Sequence, residues 1–398
     1  MNKNIEKHLL RNIKLDYIGT FLSNLNMQSS IWVLYLTFCG LNLAEIGILE
    51  GIYHFTSIVC EIPSGAVADL LGRKRSMVLG RVCVAVSCVL MLLSEDFWLF
   101  ALSFIIQAMG NNFNSGSEEA MVYDSMKYLG QEEKYVGVCG RLNMVIEISS
   151  GIATVAGGIL AEYSWVWCYA ACFVIAALAL IPVLLMREVP DEGSGEKGKV
   201  SFGVTVSGHF KTSYFILKND MRIPKLMVYY SVIFAMYTLF FFYSQEYFWN
   251  LGYGKIEISV IMLFAGIFSC LGAVGSQWFT GKFGKRAGFI SAAVIALSLV
   301  CFGFERPVLS VVVFVFAGFF NSVLYPIKSE ALNRLIPSRQ RATLISVESM
   351  FFSVAMIVLF PLAGKMAECL RLPIILAFCG ILLLLFAEMW EFSEKNVK

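Results

Sequence analysis

Ionisable side chains fall inside long apolar stretches, among them Glu50, His54 and Glu61 within residues 44–71, and Glu147 within residues 134–162. A charge at the centre of a hydrocarbon layer costs about 2.5–3.5 kcal/mol even on insertion scales, so such groups face a cavity or a partner. The chemistry open to them is proton binding, because a desolvated carboxyl or imidazole switches protonation when a cation or ligand arrives. Glu147 lies 13 residues into its run, roughly 20 Å along a helix axis. That depth makes it the leading candidate for a proton-carrying or substrate-binding carboxyl, with a structural role beside Asn143 or Ser150 as the alternative. Glu50, His54 and Glu61 fall within about 40° of one another on a helix and form a line through the layer. They read as a proton path or a cavity wall, with hydrogen-bonded packing as the alternative for His54.

Polar and aromatic residues at matching depth suggest a small-molecule cavity. Asn111, Asn114, Ser115 and Glu118 follow helical spacing and make one stripe. Glu118 is expected to pair with Arg141. Asn24, Asn26 and Gln28 lie at mid-depth in the first apolar run, and Asn321 and Tyr325 in the tenth. Lys328 with Glu330 reads as part of a gate in the second half. Tyr230, Phe234, Tyr237 and Phe241 share a helical face. An aromatic wall with few fixed charges suits flat, amphipathic or cationic compounds.

The elements that must position these residues are membrane-spanning helices. Only 15% of the 398 residues are charged and 58% are hydrophobic, whereas soluble domains carry roughly 25% charged residues. The net charge is +2, so no basic field exists for nucleic acid. Twelve apolar runs are near the length needed to span a bilayer: 13–38, 44–71, 76–94, 97–128, 134–162, 165–186, 223–248, 256–281, 287–304, 308–335, 341–368 and 372–390. With the N-terminus inside, all Lys and Arg but Lys255, Arg306, Lys365 and Arg371 fall on the cytoplasmic side, which fixes both termini as cytoplasmic. The fold class expected is an all-α membrane protein. It has a six-helix bundle over 1–186, a cytoplasmic central loop over 187–222, a second six-helix bundle over 223–390 and a tail over 391–398. The loop's later part is a candidate surface-lying helix. LLGRKRS and KFGKRAG recur at an offset of 212, and EEAMVY and SEALNR at 211, which suggests an internal duplication with a site between halves. The 11 cysteines lack CxxC spacing, so neither disulfides nor a metal site are expected. No nucleotide-binding or hydrolase motif occurs, so no cofactor and no catalytic residue are expected.

One loop is specific. Gly65-Ala-Val-Ala-Asp69-Leu-Leu-Gly72-Arg73-Lys74-Arg75 resembles the signature loop of the major facilitator superfamily, with Leu70 in place of its usual Arg. The longer pattern Glu61-x-Pro63-x5-Asp69-x3-Arg73-Lys74 resembles that of tetracycline and related drug exporters. The resemblance implies a gate: Gly65 allows close helix approach, Asp69 accepts from the helix start near Arg341, and Arg73 pairs with Asp69 or Asp124. Gly151 to Gly158 keeps the glycine pair of the drug-antiporter signature, with Ala153 and Thr154 where Gly and Pro usually stand.

The reading is a monomeric secondary transporter of a prokaryotic inner membrane. Its expected work is exporting amphipathic, drug-like small molecules in exchange for protons. Two alternatives stay open: a proton-coupled nutrient importer, and a non-transporting membrane sensor on the same fold.

Overall fold

The computed structural model describes residues 3–190, 218, 220–335 and 341–396, except the side chains of residues 3, 4, 62, 69, 136, 341–343, 345, 346 and 393–396. Most of the central loop therefore lies outside the described residues, and with it the expected surface helix. The described chain is helical: α1 (Lys3–Asn24), α2 (Trp32–Phe38), α3 (Leu43–Leu71), α4 (Arg73–Leu93), α5 (Phe97–Tyr128), α6 (Tyr135–Tyr163), α7 (Trp165–Leu185), α8 (Arg222–Asn250), α9 (Lys255–Phe283), α10 (Ala287–Phe302), α11 (Pro307–Leu335), α12 (Arg341–Cys369) and α13 (Leu372–Asn396). With α1 and α2 together forming the first span, the twelve expected spans are present among the described residues, and the architecture is all-α.

Eleven of the twelve apolar runs coincide with a single helix, and the last continues to Asn396. The first does not. Residues 13–38 read as one run, but α1 starts at Lys3 and the helix breaks between Asn24 and Trp32. The sequence there, LNMQSSI, is rich in side chains that compete for backbone hydrogen bonds. The new start is capped from elsewhere: the buried Gln245 of α8 accepts the Val33 N–H at 3.1 Å. Other starts are capped locally. Asn42 and Glu45 cap each other's backbone N–H at 2.9 Å at the start of α3, and Asp96 accepts the Leu99 N–H at the start of α5.

Among the described residues, nine stretches are long and apolar enough to cross a membrane, and one of them, Lys255–Phe302, holds both α9 and α10. The broken first span and α5 fall short of that apolarity. In α5 the reason is Gln107, Asn111, Asn112 and Asn114. Polar side chains at that density need partners inside the protein.

Contacts divide the chain into two compact units, Met1–Ser29 with Ile52–Ser207 and Ser30–Gly51 with Gly208–Lys398. Within the first, α4 packs on α5 and α7, and α1 packs on α5, α6 and α7. Within the second, α10 packs on α11 and α13, and α8 packs on α11, α12 and α13. Each pair in one unit corresponds to the pair six spans later in the other, so the duplication read from short motifs extends to the packing scheme.

The tightest crossing in the second unit joins α9 and α11 through reciprocal glycines. A Cβ on Gly272 would collide with the carbonyl oxygen of Phe319, and one on Gly318 with that of Ala265. Hydrocarbon gives helices no hydrophobic drive to associate, so backbone approach of this kind supplies the packing. Gly65 differs: among the described residues nothing lies within 4 Å of a Cβ placed there. The expected role of Gly65 in close helix approach is therefore corrected. We expect Gly272→Val to destabilise the protein by about 1–3 kcal/mol through overpacking, while Gly65→Ala stays within about 0.5 kcal/mol of the native protein or above it. Thermal unfolding of the detergent-purified variants measures both.

Candidate functional site

The first unit buries a cluster of three charges. Arg81 of α4 is 6% exposed and its Nη2 meets Glu118 Oε1 of α5 at 2.9 Å. Thr20 of α1 donates a long hydrogen bond to the same oxygen. One turn earlier on α1, Asp16 is 1% exposed, and neither of its carboxyl oxygens has a hydrogen-bond partner among the described residues. Asp16 feels the charges of both Glu118 and Arg81. One guanidinium thus faces two carboxyl groups, and the cluster carries a negative charge unless a carboxyl binds a proton.

Arg81 also borders a cavity of about 90 Å³, room for a few water molecules. Its polar lining is Ser23, Asn26, Gln28, Arg81, Gln107 and Asn111. Two atoms that would reward a ligand or water are unpaired among the described residues: Arg81 Nε and Oε1 of the buried Gln28. Nearby, α3 and α5 are zipped by side chains. Asn111 Nδ2 donates to the Tyr53 hydroxyl at 2.8 Å, while Asn112 exchanges hydrogen bonds with the hydroxyl and carbonyl of Ser57.

The expected pairing of Glu118 with Arg141 is corrected. Glu118 is held by Arg81, and Arg141 is exposed and donates through Nε to the Tyr17 hydroxyl at 3.0 Å. α5 packs on α4, which puts Arg81 beside Glu118, whereas Arg141 sits on an exposed part of α6. Asn114 is also displaced from its expected role. It is 6% exposed and packs against Gly80 of α4, away from the cavity lining. Asn24 donates to the Thr20 carbonyl one turn back. Glu147 lies on an exposed stretch of α6. Glu50 and His54 are buried and Glu61 is half-buried on α3.

The loop between α3 and α4 requires glycine at 72, where φ is +96°. Arg73 reaches Asp124 of α5 at 2.9 Å, as one of the two expected pairings has it. The carboxylate found at a helix start here is Glu188, which accepts the Lys74 N–H at 3.0 Å at the start of α4. Lys74 Nζ donates to the Leu184 carbonyl at the end of α7. The side chains of Asp69 and Arg341 lie outside the described residues.

In the second unit, Lys328 of α11 pairs with Glu348 of α12. Glu330, its expected neighbour, pairs instead with Arg334 one turn on. Residues two apart on a helix point apart, so Lys328 and Glu330 do not face each other. The Lys328 ammonium lies 5.1 Å from the centre of the Phe234 ring and 4.5 Å from that of Tyr325. Tyr230 is buried edge-on against Tyr229, and Tyr237 lies beside Phe241. Asn321 has a buried Oδ1 without a partner among the described residues.

The model of the Major Facilitator Superfamily matches residues 17–308 and 250–396 of this sequence. The chain belongs to the major facilitator superfamily. This superfamily member is a multi-pass membrane protein and a secondary transporter, not an enzyme. It is 21% identical over 333 residues to an uncharacterised transporter of the superfamily, YxaM of Bacillus subtilis, covering 81% of this chain and 80% of that one. A shorter match, 31% identical over 121 residues, is to the Escherichia coli inner membrane transport protein YajR and covers 30% of this chain and 25% of that one. The nucleoside transporter NupG has the same fold, with a TM-score of 0.74 and 15% identity over 99% of this chain and all of that one.

Asp16 and Arg81 escaped the sequence reading. In the sequence Arg81 counts only among the cytoplasmic cations and Asp16 has no assigned role; the clue is that both fall within apolar runs, 76–94 and 13–38. We expect Arg81→Ala to cost about 3 kcal/mol by stranding buried carboxyl groups, and Arg141→Ala to cost less than about 0.5 kcal/mol. Reversible unfolding in detergent distinguishes them.

Proposed function

We propose that this transporter exports amphipathic, drug-like small molecules in exchange for protons, by alternating access, as a monomer in a prokaryotic inner membrane with both termini cytoplasmic. The observation that carries proton coupling is Asp16: a buried carboxyl with no hydrogen-bond partner among the described residues, sharing Arg81 with Glu118 beside a polar cavity. A proton on Asp16 leaves Arg81 and Glu118 a neutral pair. Its loss leaves an uncompensated charge, which costs several kcal/mol in so dry a place. A conformational change that lets water or substrate reach the cluster relieves that cost, and so ties proton release to the transport cycle. Asp16 therefore takes precedence over Glu147 as proton carrier, with Glu61, His54 and Glu50 on α3 as further relay groups.

Substrate contacts are assigned to Gln28 and Asn111 in the first unit and to Tyr230, Tyr237, Asn321 and Tyr325 in the second, with Asn24 at the break after α1. The gate comprises Asp69, Gly72, Arg73, Lys74 and Asp124. Arg73 and Asp124 are each about one-third exposed, so their pair is weak and breaks cheaply. That suits a contact which opens once per cycle. Export is favoured over nutrient import by the Glu61 to Lys74 pattern and by the aromatic side chains of α8.

Everted membrane vesicles with an acid interior test the reading. Adding tetracycline or a cationic dye is expected to raise the lumenal pH in wild-type vesicles, and Asp16→Asn is expected to abolish that rise while dye binding persists. Uptake of a sugar or nucleoside in right-side-out cells, without a drug response, would place the protein among importers. Specific binding without any flux would make it a sensor.

A further inference from the structure

Lys328 is held in an unusual way. Phe234 from α8 and Tyr325 from its own helix present rings to its ammonium at 5.1 and 4.5 Å, and Glu348 from α12 supplies the counter-charge. The lysine and glutamate side chains are only 12% and 16% exposed. Tyr325 is 63% exposed, so one wall of the arrangement is open. Ring faces with a single carboxylate are the groups that recognise an organic ammonium. A buried ion pair needs no aromatic walls, and as a stabilising device it is poor. The other charges nearby on α11, Glu330 and Arg334, are spent on each other. Among the described residues Glu348 is the one carboxylate in ion-pair contact with Lys328, and Tyr325 is the other titratable group against it.

We propose that Phe234, Tyr325 and Glu348 form a binding site for an organic cation, and that Lys328 occupies it as a tethered surrogate which the substrate displaces. The proposal rests on the export reading and narrows its substrate class to lipophilic cations. When the cation enters, it takes Glu348 as its counter-charge. The Lys328 ammonium, left without one, gives up a proton to water and becomes a neutral amine. One positive charge arrives and one proton leaves, so the site stays neutral. When the cation departs, the amine regains a proton and returns to Glu348. This exchange ties cation binding to proton release within the second unit, while transport across the membrane still depends on Asp16.

Binding of tetraphenylphosphonium to the detergent-purified full chain tests it. Wild-type affinity is expected to rise up to about tenfold per unit of pH across the neutral range, as one released proton requires. Lys328→Gln empties the site, so it is expected to bind at least about tenfold tighter at mildly acidic pH and to lose the pH dependence. Glu348→Gln is expected to lose binding. Unchanged or weaker binding in Lys328→Gln, or wild-type binding indifferent to pH, overturns the proposal. If Lys328→Gln is not monodisperse, proton release by Asp16→Asn in weakly buffered solution decides: about one proton per bound cation supports the exchange, and none overturns it. Proton-coupled export of neutral or anionic drugs, with no cation binding, would overturn this site while leaving the export reading intact.

Discussion

Charge buried among apolar helices dictates much of what this molecule is. The Arg81–Glu118 pair is the clearest instance. A guanidinium 6% exposed in a membrane helix is tolerable only with a carboxylate against it. Meeting that demand aligns α4 with α5, and the side chains of α1 complete the group through Thr20 and Asp16. The same helices border the polar cavity. Lys328 and Glu348 do comparable work in the second unit by joining α11 to α12. Each unit therefore contains a pair of opposite charges that costs folding energy and fixes which helix faces which.

Around these pairs the packing is repetitive. The third span contacts the fourth and sixth, the ninth contacts the tenth and twelfth, and the first and seventh occupy corresponding places. The charges do not follow the repeat. The first unit holds two acids and one base on α1, α4 and α5, while the second holds one acid, one base and two aromatic rings on α8, α11 and α12. The duplicated scaffold thus carries unlike buried chemistry in its two units.

Span positions, the family and the Arg73–Asp124 pair were legible in the sequence because each rests on local signals: run length and the Gly65 to Arg75 spacing. Arg73 meets Asp124 because both lie at helix ends that the loop brings together. Partners of buried charges were not legible. Helical spacing says that Glu118 faces inward, but whether Arg81 or Arg141 answers it depends on how α4 and α6 are rotated, which no local pattern encodes. The same holds for Lys328, whose partner is 20 residues away on the next helix. The break before Trp32 was hidden because its cap comes from Gln245 on α8. Nor does depth along a run say which face of α6 carries Glu147, which is exposed.

Infrared difference spectroscopy of the purified transporter, recorded on adding substrate, most directly tests whether the buried Asp16 carboxyl carries the coupled proton. A protonated-carboxyl stretching band should be lost on substrate addition in the wild type and be missing from Asp16→Asn, while Glu147→Gln retains it. A band that persists in Asp16→Asn and vanishes in Glu147→Gln would contradict this and return the proton to α6.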